Sequence, residues 1–226
     1  SKNVVVTLSH HLGLLRFFPM PPVERRFLKS AVPIEAKKYI PIPFDTLAHD
    51  YQVAPMPPDA SGKARSGVLI SVGQKKNLAN ISGLLRSLEL NLIGLEVAPC
   101  SVLRLWQAVD PAQGPAPLVA AHFDGGSVRI MICDRGLPVF FREVFLGVEV
   151  TLADQRKVDL SGCLAFAQKQ LALTGVSKIK LSGTAAVLGP WKQALAAETG
   201  LPTEIQDTAK LLSINGGDWG GYAAIG

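Results

Sequence analysis

The side chains best suited to catalysis or to holding a metal are few and scattered in this chain: His10, His11, His49, His122 and the cysteines Cys100, Cys133 and Cys163. The histidines have no ligand spacing, there is no Cys-x-x-Cys pair, and neither a phosphate-cradling P-loop nor a Gly-x-Ser-x-Gly elbow occurs. His49 and Asp50 could pair, but a single histidine beside an aspartate at a strand start is ordinarily structural. No nucleophile and base can be nominated, and no metal site is expected. Trp106, Trp191 and Trp219 are too dispersed for a platform that stacks single-stranded nucleic acid.

Composition points to surface chemistry instead. The chain has 226 residues, 48% hydrophobic and 18% charged, enough for one large domain or two modest lobes. Its formal charge of +5 is uneven, because residues 1–40 carry seven Lys or Arg against Glu24 and Glu35. A basic face near the start is expected, one that could meet acidic lipid headgroups, an acidic partner segment or nucleic acid, although most such faces are merely solvated. The odd number of cysteines, far apart in apolar surroundings, suits reduced core thiols and a cytosolic setting. No apolar run approaches the roughly 18–20 residues that cross a bilayer. The start is not signal-like, and Ser1 in place of an initiator Met suggests a trimmed chain, leaving an upstream anchor or domain open.

Residues 4–8 and 12–18 are predicted as two strands of a hairpin-like entry, the second ending where Pro19, Pro21 and Pro22 deny ladder donors. From Pro22, the spacing of Val23, Phe27, Ala31 and Ile34 predicts an amphipathic helix whose other side bears Arg25, Arg26 and Lys29. Pro33 should kink or restart it, and Pro41 should end it. A short strand at 50–54 and a Pro-rich loop at 55–62 precede strand 68–72, helix 77–88, strand 91–97 and helix 101–109. Gly114-Pro115 marks the change to a second lobe. There, strands 118–123, 128–133 and 137–145 are spaced as an antiparallel meander. Helix 159–174, strand 178–181, helix 185–199 and strand 202–205 follow, and residues 222–226 should enter another helix. The class is α/β (α+β).

One stretch is far more particular in residue order than in chemistry. Residues 35–53, EAKKYIPIPFDTLAHDYQV, run from a basic helical end through a Pro-x-Pro stop and an acidic turn to the strand at Asp50-Tyr51-Gln52-Val53. With the preceding Arg16-Phe17-Phe18-Pro19-Met20-Pro21, this order resembles the type IV pilus assembly protein M family, PilM, whose members look like actin and the cell-division actin homologue. The resemblance implies an actin/ribonuclease H-like, two-lobed fold with a small inserted β-α-β subdomain. It implies residues 1–73 as a partner-binding subdomain, 74–116 as the rest of the first lobe, and 117–226 as a second lobe without the usual extra helical subdomain.

The same resemblance implies where a nucleotide would sit, and at each place this sequence departs from the pattern. The first phosphate hairpin is missing, as though the chain begins after it. The second falls at His122-Phe123-Asp124-Gly125-Gly126-Ser127, with His122 where the family has Asp and Asp124 where it has Gly. A carboxylate at Asp124 facing a phosphate about 4 Å away would repel it by roughly 1–4 kcal/mol. A one-register slip could still make Asp124-Gly125-Gly126 a phosphate turn; the plainer reading is a strand-turn-strand bend. Only 34 residues separate Gly147 from Ser182, too few for the nucleoside-binding insert. The last motif survives in part as Ser182-Gly183-Thr184, where Thr184 replaces a second Gly. Its plainer reading is a strand-to-helix turn capped by Ser182 or Thr184.

No cofactor is expected, ATP and magnesium being bound only if this degenerate site works. The function implied is a cytoplasmic scaffold peripheral to the inner membrane, binding the short cytoplasmic tail of a single-span, PilN-like partner and no nucleic acid. For that tail, Arg16, Arg25, Arg26 and Lys29 could complement acidic groups, and Phe17, Phe27 and Tyr39 could serve as anchors, though Phe27 is expected in the core. The alternatives are an ATP-binding actin-like ATPase or filament former, and the L-type cytoplasmic component of a type II secretion system.

Overall fold

A computed structural model describes residues 2–9, 11–109, 116–124, 126–147 and 150–206. Gly114-Pro115, Gly125, Trp219 and the expected helix at 222–226 lie outside them. The chain divides into two compact units, 1–100 and 101–226.

The first unit holds two sheets. Strands β1 (Lys2–Leu8) and β5 (Leu90–Val97) pair in parallel, with helix α2 (Lys75–Ser87) leading into β5. Strands β2 (Gly13–Met20), β4 (Arg65–Gln74) and β3 (Leu47–Met56) form an antiparallel sheet in that order. Both expected entry strands exist, yet they do not make a hairpin, because β1 joins β5 and β2 joins β4. Nor does Pro19 end its strand: it pairs with Gly67 on an edge strand, where a missing N–H can face away from the ladder.

Helix α1 (Leu28–Ala36) enters through a 3-10 turn at Arg25–Phe27 and crosses the β2-β4-β3 sheet. Its phase differs from the expected one. Val32 and Ala36 are fully buried with Phe18, Val68 and Ile70, and Leu28 and Ala31 pack beside them, whereas Phe27 is 50% and Ile34 66% exposed. Two stripes of apolar residues competed on this helix, and the smaller residues, fitting closer to the sheet, took the core. The helix runs through Pro33 without a restart and ends at Ala36, short of Pro41, with Ile40 donating its N–H back to the Ala36 carbonyl at 3.0 Å.

In the second unit, helix α3 (Ala98–Val109, beginning in the first) precedes the expected meander β6 (Leu118–Asp124), β7 (Ser127–Asp134) and β8 (Leu137–Phe145). A short helix α4 (Gln155–Val158) leads to α5 (Leu160–Leu171), capped by the Asp159 carboxylate, which accepts from the Gly162 N–H at 3.1 Å. Strand β9 (Ile179–Gly183), helix α6 (Ala185–Thr199) and strand β10 (Thr203–Ile205) complete the order β10-β9-β6-β7-β8. Alternation divides β6: Leu118, Ala120 and His122 share the face bearing Val102, Leu103 and Trp106, and Phe123 faces Trp191 of α6 at 5.1 Å. Both faces are covered, as in a sheet with parallel central strands. Cys133 and Cys163 are buried, Cys100 is half-buried, and none of the three is in a disulfide.

Candidate functional site

The residues nominated for a phosphate site gather where β6 and β9 end, side by side in parallel register with His122 opposite Ser182 and Phe123 opposite Gly183. Their bonding is internal. The Asp124 carboxylate accepts from Arg129 Nη1 at 2.8 Å, and Arg129 Nε donates to Glu143 at 3.1 Å, so its charge is met by a guanidinium one strand away. Ser127 Oγ donates to the Asp124 carbonyl at 3.3 Å. A Cβ on Gly126 would fall on the Gly147 carbonyl, and the Gly126 oxygen accepts from the Leu146 N–H at 2.7 Å. Gly126 thus lets the backbone leaving β8 lie against the turn.

Gly183 has φ +117 and carries its hydrogen where a Cβ would strike the Phe123 carbonyl; the next amide, Thr184 N–H, donates to that same oxygen at 3.0 Å. Thr184 takes the N-cap position of α6, but its side chain makes no capping bond, and Ser182 is not a cap at all. Ser182 Oγ instead lies 2.9 Å from His122 Nδ1 and accepts from Trp106 Nε1 at 3.2 Å, all of it buried. His122 Nε2 has no partner among the described residues. Burial, and then the nearby Arg129 charge, lowers the His122 pKa to about 4. Among the described residues no three of His, Cys, Asp and Glu come together as metal ligands.

The nominated partner-binding residues do not form one patch. Arg16 lies on the helix-covered face of β2, half-buried, its guanidinium lowered in pKa by that burial and donating to the Leu15 carbonyl at 2.9 Å. Phe17, next along the strand, points to the opposite face, over Gly67. Arg26 pairs with Glu24 at 2.8 Å and lies over the Phe27 ring, 4.7 Å from its centroid. Arg25 and Lys29 are exposed beside it, and Tyr39 stacks on Phe18 at 4.5 Å. Phe27, expected in the core, is on the surface.

A cleft of about 370 Å³ in the first unit was not anticipated. Leu8, Leu78, Leu95 and Val97 give it apolar walls, and Asp50 and Glu96 give it polar ones. One Asp50 oxygen accepts from the Tyr51 N–H at 2.8 Å, which leaves the other uncommitted among the described residues. The only signal in the sequence was His49-Asp50, whose importance rests on β1 and β5 arriving from either end of the unit. A larger hollow of about 570 Å³ beside α5 is bordered by groups already bonded to one another, Glu198 accepting from the Ser161 N–H and from Gln155 at 2.9 Å each.

No family model matches the chain, and no curated protein matches it. Solved structures do. A chain of a PilM-PilN type IV pilus biogenesis complex aligns over 99% of this chain and 77% of its own with a TM-score of 0.74 at 18% identity. The cytoplasmic domain of EpsL, an inner membrane component of the type II secretion system of Vibrio cholerae, aligns over 93% and 72% with a TM-score of 0.53 at 14% identity. A Bacteroides thetaiotaomicron protein with an actin-like ATPase fold aligns over 94% and 73%, with a TM-score of 0.48 at 12% identity. The chain therefore shares the fold of the chain from the PilM-PilN complex and of the EpsL cytoplasmic domain, and the mixed α/β class read from the sequence is the one observed. Among the described residues no helix is long and apolar enough to cross a membrane.

Proposed function

We propose that this chain is an actin-like scaffold of a type IV pilus assembly platform, peripheral to the inner membrane, that grips the short cytoplasmic tail of a single-span, PilN-like partner. The observation that carries this is the match of nearly its whole length to the fold of a chain from a PilM-PilN complex. The cleft supports it: apolar walls suit aliphatic side chains of an extended tail, and Asp50 and Glu96 suit a basic one. A candidate tail peptide with two or three aliphatic residues and an arginine should bind the intact chain saturably, and Asp50→Lys should weaken it about tenfold or more, the worth of roughly 1.4 kcal/mol. Isothermal titration measures both; no saturable binding, or equal binding by Asp50→Lys, sinks the reading.

Nucleotide hydrolysis is not part of the proposal. Its absence is supported by the Asp124 carboxylate being engaged by Arg129, the Thr184 amide by Phe123, and Gly126 and Gly183 by close backbone contacts. A ligand at about 100 times its dissociation constant would add about 2.7 kcal/mol of stability. Excess Mg-ATP should leave the melting temperature unmoved, and a clear rise would restore the ATPase alternative. The secretion L-type component stays second because its fold match is weaker, 0.53 against 0.74.

A further inference from the structure

We propose that the cleft continues onto the face of the β2-β4-β3 sheet turned away from α1, where Phe17, Leu69, Ala54 and Met56 form a shelf for a second side chain of the same tail. The shelf takes an apolar residue about four positions from the basic one met by Asp50. This rests on the tail reading above and adds to it a required spacing. Alternation places Phe18, Val68 and Ile70 under α1, where all three are fully buried. Their neighbours turn to the other face: Phe17 stands opposite Leu69, Leu69 opposite Gln52, and Gly67 opposite Ala54. The Phe17 ring lies over Gly67, where a Cβ would strike it, and the Met56 side chain reaches within 3.0 Å of the same point. Phe17, Leu69, Ala54 and Met56 nevertheless stay only half-buried. A sheet with one face on a core ordinarily turns polar residues to water on the other, so an apolar second face calls for an occupant.

Continuity and size select the tail. Asp50 and Ser71, which line the cleft, are followed on this face by Gln52 and Leu69 and then by Ala54 and Gly67. An extended segment held at Asp50 therefore arrives over the shelf after about four residues, roughly 13 Å at 3.3 Å each. Three strands about 4.8 Å apart make the strip roughly 10 Å wide, on the order of 130 Å². A stable interface with a folded partner or a second copy covers about 800 Å² on each side. The strip suits one or two side chains of a peptide. Asp50 and Glu96 then read the basic residue, and the shelf reads how far from it the apolar one stands.

The probes are synthetic: the tail peptide described above, lengthened so that a leucine stands four residues before or four after its arginine, and the same two peptides with serine in place of that leucine. On the intact chain one leucine peptide should bind about tenfold tighter than its serine counterpart, as burial of a leucine side chain requires. Ala54→Arg, which fills the shelf from the edge strand, should erase that gain, whereas Asp50→Lys should weaken leucine and serine peptides alike. Circular dichroism and melting temperature check the folding of each variant, and the comparison of leucine with serine on the parent needs no variant. Equal binding of leucine and serine peptides overturns the shelf; if Asp50→Lys still weakens both, the cleft reading stands. A gain that survives Ala54→Arg also overturns the shelf. No saturable binding of any of the peptides overturns the two readings together. A dimer in sedimentation that Ala54→Arg dissociates assigns the face to a second copy instead.

Discussion

Gly183→Ala is expected to cost about 3–5 kcal/mol of stability, enough to leave a chain of ordinary stability marginal. Two separate penalties combine. At φ +117 the backbone lies where residues with a Cβ are strained by about 1–3 kcal/mol. The added methyl would also fall on the Phe123 carbonyl, a backbone atom in the last pair of the β6-β9 ladder that cannot swing aside as a flexible side chain can. Gly200→Ala is the control, because Gly200, at φ +70 beyond the end of α6, has nothing within 4 Å of its would-be Cβ. It should lose only about 1 kcal/mol. Urea unfolding of both variants decides the point. Equal losses would mean that the close approach of Gly183 to Phe123 is absent, and with it the account of why this glycine is retained without a phosphate to cradle.

Strands and helices of the second unit were legible because each has one dominant signal. The apolar runs of β6 to β8 are separated by turn residues, and α6 matches its expected limits because Thr184 and Gly200 bracket it. Pairing partners were not legible. The two entry strands looked like a hairpin because they are adjacent in sequence, but their ladders depend on β4 and β5, more than forty residues away. The phase of α1 was misread for a related reason. Phe27 and Ile34 outrank Val32 and Ala36 in hydrophobicity, and only the distance of the sheet from the helix axis decides that small side chains belong inside. At the candidate site, the departures at His122, Asp124 and Thr184 could be read from residue types. The partners that absorb them, Ser182, Arg129 and Phe123, are brought in by sheet register. The cleft was invisible for the same reason, since its lining comes from six separate elements.

His122 should make the protein acid-sensitive, and His122→Asn should remove that sensitivity. In the unfolded chain the imidazole takes a proton near pH 6.5, while in the folded protein it stays neutral down to about pH 4. Between those values the unfolded state binds more protons than the folded one, so stability falls as pH falls. At about 1.36 kcal/mol per pKa unit, the gap between 6.5 and about 4 corresponds to roughly 3 kcal/mol, fully present near neutrality and gone at pH 4. The causes are visible around the ring. It is wholly buried, Arg129 stands opposite it on β7, and Ser182 Oγ, already accepting from Trp106, can either donate to Nδ1 or accept from it. In the tautomer with the proton on Nδ1, the unpartnered Nε2 is a lone pair and not a stranded N–H, which is the less costly arrangement; a second proton would then enter with no acceptor. Asn at this position keeps a polar group near the place of Nδ1 and deletes both Nε2 and the titration. The variant loses some packing at every pH, so the informative quantity is the slope. Urea-unfolding free energies measured from pH 7 to pH 4 should diverge, the parent losing about 3 kcal/mol more than His122→Asn across that interval. Parallel profiles would place the imidazole in contact with water, and the buried Trp106-Ser182-His122 chain would have to be abandoned along with the closed turn it supports.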